Sequence, residues 1–407
     1  MPDGAEIKNG QRPVSKRFGH RICSVDHTLS RVSPFLDIMG ITRLADVTGL
    51  DHVGIPMAQA IRPMGRSLSV AQGKGMTLNA AFVSAMMEAA EGWHAETIVL
   101  PRRTSCQAKM EEGINVSAAS VVRPVSNHID LDWVEGRDCL SGDVVWVPFD
   151  LVSKDYTCPA ADSAFVRTTN GLASGNTWHE AIASALHEVI ERDCLADHHW
   201  RDAAQVGARR RSRAFCRAVG ADVRWLLDKI DAAELRLDVW DITNDLGVPC
   251  FHAQLYETTF GTARPCRPPS SGSGCHLDPQ VALVRAVTEA AQGRLTEIAG
   301  SRDDLLSDRY RPVADGNVVA MVEAAMDIDA LTSQQQVPVN LASCISPAED
   351  CDELSDRLAR HGVTQAAIVD LSKPELPLSV VRAVVPGLGF PTSKGFVLGR
   401  RERRIGI

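Results

Sequence analysis

The chain has 407 residues and a net charge of −8 at pH 7, with 44% hydrophobic and 23% charged residues. These proportions are typical of an ordinary globular protein, and the acidic balance argues against a general nucleic-acid surface and against membrane attraction. Residues 1–20 contain no apolar segment typical of a secretion signal, and no apolar run is long enough to span a membrane. We therefore expect a cytoplasmic protein that binds neither nucleic acid nor a membrane.

Eleven cysteines are scattered along the chain, and no two have the two-residue separation of a zinc or redox motif. In a cytoplasmic protein an odd number of cysteines is typical of free thiols, most of them buried. We expect that state here, and no cysteine stands out as a nucleophile.

After a polar lead-in at residues 1–30, the first informative element is a helix predicted at residues 77–93, TLNAAFVSAMMEAAEGW. Between Ala80 and Ala90 only Ser84 and Glu88 interrupt a run of apolar residues, and Glu91 follows one turn later. These three polar residues share one face of the helix. A helix that is apolar nearly all round is a buried helix, so a buried helix here carries two carboxylates.

The same pattern returns twice, at residues 177–192 (TWHEAIASALHEVIER) and 278–294 (DPQVALVRAVTEAAQGR). The equivalent polar stripes are Ser84, Glu88 and Glu91, then Ser184, Glu188 and Glu191, then Arg285, Glu289 and Gln292. Each helix starts at an N-cap residue (Thr77, Thr177 or Asp278) and follows what we interpret as a glycine-bearing turn. Alone, the second helix would be interpreted as having a solvated acidic face, but its alignment with the others favours burial. The sequence thus predicts three repeated loop–helix units.

Buried carboxylates need compensation, because an unpaired one either takes up a proton or requires a cation. The three helices carry six glutamates, Glu88, Glu91, Glu180, Glu188, Glu191 and Glu289. The nearby bases are fewer: Lys74, Arg192, Arg285 and Arg294. Mg²⁺ would balance the excess, since it takes oxygen ligands and keeps positions for water or phosphate.

Gly73-Lys74-Gly75, just before the first helix, is predicted to expose backbone N–H groups at the positive end of the helix dipole, which suits a phosphate. It is not a Walker A loop, because Leu68 occupies the place of the first glycine, and no GxGxxG turn accompanies it. The residues therefore predict phosphate and Mg²⁺ binding without a P-loop or Rossmann fold.

Other segments predict the framework. Residues 143–152 alternate like a strand, residues 236–257 predict strand, turn and strand, and residues 366–372 predict a core strand. We interpret the basic segment at residues 201–215 as a solvated helix or linker rather than a peptide-binding surface, and the arginines of residues 400–404 likewise. Residues 311–336 predict a helical connection.

Five segments in order resemble the YcaO family: GITRLADVTGLDHVGIPMAQAIRP, SLSVAQGKG, SAMMEAAE, NGLASGNTWHEAIASALHEVIERD and RAVTEAAQGRLTEIAGSRDD. The similarity runs from about residue 16 to about residue 390. It implies an α+β, ATP-binding fold of repeated loop–helix units around mixed sheets, unrelated to P-loop or Rossmann folds. We divide the chain into a lead-in that contributes to the nucleotide site (1–30), a single domain (31–395) and a basic tail (396–407). Within the domain, the repeat units cover about 31–150, 151–260 and 261–395.

The resemblance also implies site residues. Mg²⁺ would be held by Glu88, Glu91, Glu180, Glu188, Glu191 and Glu289. ATP would be contacted by Lys16, Ser24, Ser69, Lys74, Ser84, Asn176, Arg192 and Arg285. Lys16, for which Arg17 is an alternative, and Ser24 rest on a short N-terminal motif. No catalytic residue is assigned.

The chemistry implied is ATP-dependent activation of a peptide amide: a nucleophile adds to the carbonyl, and the resulting oxyanion attacks the γ-phosphate. A Cys, Ser or Thr side chain as nucleophile gives an azoline ring, whereas external sulfide gives a thioamide. The sequence shows neither the PxPxP tail nor the fused peptide-recognition domain common in ring-forming members. TGLDHVGIP and SLSVAQGKG resemble the subgroup that works with a TfuA-like protein.

We therefore expect thioamide formation on a ribosomally made peptide or protein, with a TfuA-like partner and a sulfur source. Azoline formation is the alternative, and a homodimer is left open. A nucleotide-binding regulatory or scaffold protein is the rival from another class, although the presence of every site glutamate argues against a decayed pocket. A plain ATPase without a peptide substrate is harder to exclude.

Overall fold

The computed structural model describes residues 21–119, 121–160, 164–257, 269–305, 346–392 and 395–399. The predicted helical connection at 311–336, the arginines of residues 400–404 and Lys16 lie outside these residues. The helices are α1 (Val25–Val32), α2 (Leu78–Glu96), α3 (Phe149–Val152), α4 (Trp178–His199), α5 (Ala203–Ala208), α6 (Arg213–Val219), α7 (Ala221–Ala232), α8 (Pro279–Ala299) and α9 (Pro347–Arg360). No described helix is long and apolar enough to cross a bilayer.

Fifteen strands form four sheets within the described residues. They are β1 (Arg43–Asp46), β2 (Met57–Ile61), β3 (Val70–Lys74), β4 (Arg102–Cys106), β5 (Asp130–Asp138), β6 (Val144–Pro148), β7 (Leu172–Gly175), β8 (Arg210–Arg211), β9 (Leu235–Asp241), β10 (Cys250–Glu257), β11 (Ser270–Cys275), β12 (Ala367–Asp370), β13 (Ser379–Val384), β14 (Phe390–Thr392) and β15 (Gly395–Val397). The sheet orders are β1-β2-β3, β11-β10-β9-β8, β4-β5-β12-β13-β7 with β6 also on β5, and β14-β15.

Every pairing between two of the described strands is antiparallel. Parallel neighbours arise when a helix returns the chain to the same sheet. Here the helix after β3 leads into a different sheet, at β4, and the helix after β7 also leads into a different sheet, at β8. The repeated strand–helix units therefore add no parallel pair to any described sheet.

The three predicted helices exist and begin at their predicted caps. The side chains of Thr77, Thr177 and Asp278 accept hydrogen bonds from the backbone N–H groups of Ala80, Glu180 and Gln280. These contacts satisfy donors that the first turn of a helix leaves free. The helices extend a few residues beyond the prediction, to Glu96, His199 and Ala299.

The glycine-bearing segments before these helices are strands, and their prediction as turns is wrong. Lys74 belongs to β3, opposite Met57 of β2, and the Gly75 N–H donates to the Pro56 carbonyl at 3.2 Å. That N–H is therefore occupied by the fold and not free for a phosphate. The glycines instead let each strand lie directly on the helix that follows it. A Cβ at Gly73 would lie 2.1 Å from the Ala81 carbonyl oxygen, and one at Gly274 would lie 2.2 Å from the Ala282 carbonyl oxygen.

The three strand–helix units are arranged as a closed cycle. Each helix packs on its own strand, α2 on β3, α4 on β7 and α8 on β11. Each also packs on a strand of another unit: α2 on β7, α4 on β11 and α8 on β3. The repeat seen in the sequence therefore closes on itself, and the three helices surround a common space.

Each helix belongs to a different hydrophobic core. The helix α2 packs with β5, β6 and β12, around residues such as Met86 and Trp133. The helix α4 packs with α9 and β13, and α8 packs with α7, β9 and β10. The common space therefore lies where three separately packed cores meet.

Three smaller expectations have mixed outcomes. The strand predicted at residues 143–152 ends at Pro148, after which the chain turns into α3, because proline cannot donate to a further ladder bond. The strand–turn–strand at β9 and β10 and the core strand β12 are confirmed. Nine described cysteines are free and six of them are buried, as expected.

The basic segment at residues 201–215 is not a linker. It forms α5, β8 and the start of α6, and Arg210 is buried with its guanidinium 2.5 Å from Asp238. Arg211 pairs with Asp241 at 3.1 Å. Ion pairs with two aspartates of β9 hold this segment in the sheet. The run of arginines in the sequence did not indicate these pairs. The six-stranded sheet contains strands from all three proposed repeat units. The domain boundaries given above stay a prediction.

Candidate active site

A cavity of about 920 Å³ lies between α2, α4 and α8. The helix α8 lines it from Gln280 to Glu297, a stretch of about 25 Å at 1.5 Å per residue. Because the three helices come from the three repeats, the cavity occupies the centre of the cycle.

All six predicted glutamates line this cavity, Glu180 nearer the start of α4 and the other five on the polar stripes: Glu88, Glu91, Glu188, Glu191 and Glu289. The three-residue spacing within α2 and within α4 places each pair on one helix face. Glu88 is exposed within the cavity, whereas Glu191 is only 2% exposed. The polar stripes predicted from the sequence therefore meet around one space.

In each repeat unit, one residue of the strand donates a hydrogen bond to a glutamate on the helix of another unit. Ser174 of β7 donates to Glu91 from its backbone N–H at 2.8 Å and from Oγ at 2.6 Å. Ser273 of β11 donates to Glu191 at 3.1 Å.

The first strand completes this pattern, since Lys74 Nζ of β3 lies 2.8 Å from Glu289 and 3.1 Å from Gln292 of α8. The sequence analysis missed both serines, whose signal is the position directly before a strand glycine in Ser174-Gly175 and Ser273-Gly274.

The carboxylates differ in their affinity for protons. Burial, reinforced by Glu88 and Glu188 and opposed by Ser174, raises the pKa of Glu91 to about 8. Burial raises the pKa of Glu188 to about 7 although Arg192 opposes it, and it also raises the pKa of Glu88. Burial would raise the pKa of Glu289 as well, but Lys74, Arg192 and Arg285 hold it below the ordinary value.

Two of the predicted phosphate contacts, both arginines, lie among these carboxylates. Arg192 pairs with Glu191 at 3.1 Å and lies 3.7 Å from Glu188. The Nε of Arg285 is buried and has no hydrogen-bond partner among the described residues. A buried donor without an acceptor is costly, so Arg285 fits an anion that would enter the cavity.

The donor set also fits Mg²⁺. Within the described part of the chain, no three His, Cys, Asp or Glu side chains are grouped closely enough to hold a metal by themselves. Mg²⁺ is commonly bound through one or two carboxylates together with phosphate oxygens and water. Carboxylates that are crowded enough to retain protons, next to arginines that can hold phosphate, match that requirement.

Glu180 lines the same cavity but lies apart from the glutamate stripe of its own helix. It lies eight residues before Glu188 in α4, about 12 Å along the helix axis. Its carboxylate accepts hydrogen bonds from the Asn176 backbone at 2.8 Å and side chain at 3.2 Å, and from the backbone N–H of Ile22. Arg21 lies 3.7 Å away. Glu180 and Asn176 thus form a second polar cluster nearer the start of α4, and a metal-binding role for Glu180 stays a prediction.

The remaining predicted contacts have different positions. Ser84 lines the cavity. Ser24 caps α1 by accepting from the His27 N–H at 3.2 Å, and Ser69 donates to Asp303 at 2.6 Å; neither lines the cavity. Thr28, which lines the cavity and donates to Asn176 at 3.0 Å, is a better-placed hydroxyl near Ser24 that the sequence analysis missed.

The comparison with protein families shows which family a chain with this cavity belongs to. The family model described as YcaO cyclodehydratase, ATP- and Mg²⁺-binding, matches residues 72–389. The chain belongs to the YcaO family. ATP and Mg²⁺, expected from the resemblance, are thereby confirmed as its cofactors.

This YcaO chain has similar relatives of unassigned activity. It is 34% identical over 404 residues to an uncharacterised protein in the tfuA 3′ region of Rhizobium leguminosarum bv. trifolii, covering 97% of this chain and 95% of the relative. It is 32% identical over 390 residues to an uncharacterised protein of Methanothermobacter thermautotrophicus, covering 92% of this chain and 97% of the relative.

Solved structures confirm the YcaO fold, which is neither P-loop nor Rossmann. YcaO from Methanopyrus kandleri, bound with AMPPCP and Mg²⁺, is similar with a TM-score of 0.71 and 22% identity, covering 93% of this chain and 95% of that chain. A heterocyclase in complex with substrate and cofactor has a TM-score of 0.72 and 21% identity, covering 94% of this chain. The chain spans about half (54%) of that heterocyclase.

Proposed function

We propose that this YcaO protein uses ATP and Mg²⁺ to O-phosphorylate a backbone amide of a ribosomally made peptide or protein. The observation that carries the proposal is the convergence of five glutamates and Arg285 at one cavity between three helices. Such a site supplies what phosphoryl transfer needs from a protein, which is positioning and charge stabilisation. We expect the reaction in the cytoplasm.

The residues of the cavity divide between two tasks. Glu88, Glu91, Glu188, Glu191 and Glu289 would hold Mg²⁺, and Lys74, Arg192 and Arg285 would hold the phosphates. When bound, Mg²⁺ neutralises charge on the transferring phosphoryl group. Ser174 and Ser273 orient Glu91 and Glu191 through their hydrogen bonds. Lys74, which pairs with Glu289 at 2.8 Å, would turn from that carboxylate toward a phosphate.

For the product we favour a thioamide, formed with a TfuA-like partner and a sulfur source. The support is the relative in the tfuA 3′ region, which is similar over nearly the whole of both chains. Azoline formation is the second candidate, favoured by the family description as cyclodehydratase and by the similarity to a heterocyclase.

The test is intact-mass analysis of a candidate peptide encoded beside this gene, incubated with the protein, Mg–ATP, sulfide and any TfuA-like neighbour. A gain equal to sulfur replacing oxygen would establish thioamide formation. Loss of water without a need for sulfide would establish azoline formation. An unchanged native peptide, together with ATP binding, would instead support a regulatory or scaffold protein. The matched control is the same reaction without ATP, which should leave the peptide unmodified.

A further inference from the structure

The cavity wall contains a buried cation that has no role among the residues assigned above. Lys154 follows α3, and its backbone N–H donates to the Ala95 carbonyl at 2.9 Å, which fixes the loop against the end of α2. Its side chain lines the cavity although the residue is only 7% exposed. The fold therefore holds an ammonium group at the edge of the site.

Lys154 differs from Lys74 and Arg192 in having no partner among the described residues. Lys74 and Arg192 are paired with Glu289 and Glu191 at 2.8 and 3.1 Å. The side chain of Lys154 makes no hydrogen bond or ion pair with any residue that the structure describes. Burial lowers the pKa of Lys154, while Glu88 opposes that shift. An ammonium that is buried without a partner is costly unless an anion comes to it.

Lys154 is held at the end of α2, whereas Lys74 and Arg192 are paired with carboxylates of α8 and α4. The carboxylates that act on it electrostatically, Glu88, Glu96 and Glu91, all belong to α2. Glu96 is already occupied by Arg62 at 2.7 Å. Lys74 also acts on Glu88, but its ammonium is paired with Glu289 of α8, and Arg192 and Arg285 belong to α4 and α8. These three cations are the ones assigned to the phosphates. A second anionic group, held on the α2 side, would thus meet Lys154.

We propose that Lys154 binds the oxyanion that forms on the carbonyl of the peptide substrate, an inference that rests on the proposed function. When hydrosulfide adds to the carbonyl carbon, the C=O π pair moves to oxygen and creates this negative charge. The oxygen then bonds to the γ-phosphorus as the bond to ADP breaks. Loss of phosphate with that oxygen forms C=S, and the thiol proton leaves on the phosphate. Lys154 stabilises the first of these states, in which the charge is on the peptide oxygen.

The test compares Lys154→Met and Lys154→Arg with wild type and with Lys373→Met. Lys373 is the matched control, because it is a partly buried lysine near the end of α2 whose Nζ donates to the Thr97 carbonyl at 2.8 Å, and it does not line the cavity. The measurements are peptide-dependent kcat, the Kd of a non-hydrolysable ATP analogue with Mg²⁺, and the thermal midpoint.

We expect Lys154→Met to lower the peptide-dependent kcat roughly 10²-fold, as for loss of one oxyanion donor. The Kd of the ATP analogue should change less than about threefold, since the phosphate contacts remain. Lys154→Arg should restore part of kcat, and Lys373→Met should behave as wild type. If Lys154→Met does not fold, Lys154→Gln is measured against the same criteria.

Two results would overturn the inference while leaving the proposed function intact. One is an unchanged kcat in Lys154→Met, and the other is a weakened Kd for the ATP analogue that accounts for the whole loss, which would make Lys154 a phosphate ligand. If wild type modifies no peptide, the proposed function fails and the inference fails with it.

Discussion

At the scale of single residues, identical side chains acquire different properties from partners that are distant in the sequence. Glu91 and Glu289 occupy comparable stripes on repeated helices, yet burial raises the pKa of the first to about 8 and Lys74 with two arginines lowers that of the second. The stripe itself follows from helical periodicity. The protonation state depends on Ser174 and Lys74, which only the fold brings near.

Glu88→Gln should abolish nucleotide hydrolysis while leaving the fold intact. Glu88 is exposed within the cavity and makes no ion pair with the described residues, so its replacement should change the free energy of unfolding by no more than about 0.5 kcal/mol. Loss of a Mg²⁺ ligand should lower the rate at least ~10²-fold. ATPase assays and urea unfolding measure the two effects. Glu135→Gln, which removes an exposed glutamate outside the cavity, is the control; full activity in Glu88→Gln would refute the site assignment.

His94 should make the protein less stable in acid. It is fully buried in α2, its Nδ1 lies 2.7 Å from the Ala90 carbonyl oxygen, and burial lowers its pKa to about 4. In the unfolded chain a histidine titrates near ~6.5. The neutral folded form is therefore favoured above that pH, and its contribution is lost as the pH falls from about 6.5 through 4.

Urea unfolding of wild type and His94→Gln near pH ~7 and pH ~4.5 would measure this contribution. Wild type should be the more stable at the higher pH, and its advantage should shrink by about 2 kcal/mol at the lower pH. An advantage that stays constant with pH would show that His94 is not kept neutral by the fold.

At the scale of elements, the unit that repeats is a strand that lies directly on the following helix. The sequence shows the glycines and the caps, and we interpreted the glycines as turn residues. In the structure they permit backbone contact between strand and helix, since an added Cβ at Gly73 would meet the Ala85 nitrogen at 2.1 Å. Close approach and a turn both select glycine, which is why the sequence pattern left the two uses indistinguishable.

Gly73→Ala should destabilise the protein by about 3 kcal/mol or more, because the helix backbone has to move away from the added methyl group. Gly207→Ala is the matched control: it lies within the short helix α5, and an added Cβ meets nothing within 4 Å. That control should leave the protein unchanged or stabilise it by about 0.5–1 kcal/mol. Urea unfolding of both variants and of wild type measures the change in the free energy of unfolding. Equal changes in Gly73→Ala and Gly207→Ala would contradict the close packing of strand on helix.

At the scale of the whole molecule, three hydrophobic cores meet at a cavity whose lining contains a group of glutamates. Each of α2, α4 and α8 is anchored in its own core, and the glutamates between them repel one another. A ligand that carries positive charge from Mg²⁺ and negative charge from phosphates would connect all three helices. The bound state should therefore be more stable than the free state.

Mg–ATP at ~100 times its Kd should raise the free energy of unfolding by about 3 kcal/mol, and chelating Mg²⁺ with EDTA should remove most of this gain. The reason is that ATP alone would add negative charge next to the glutamates. Thermal unfolding with the four combinations of ATP and Mg²⁺ measures it, and Glu88→Gln should show a smaller gain. An equal gain from ATP with EDTA would mean that the glutamates do not act through a metal ion.

The sequence by itself determined the three buried helices, their caps, the polar stripes and the family. Periodicity, capping residues and long ordered motifs are local properties, and Glu88, Glu188 and Arg285 could be named from them. It did not reveal that Ser174 and Lys154 line the same cavity, that Ser273 donates to Glu191, or that Glu180 lies about 12 Å from Glu188 along α4. Those facts depend on which strand packs on which helix. The tertiary structure decided them, because contacts between residues a hundred positions apart arise only when the three units close into a cycle.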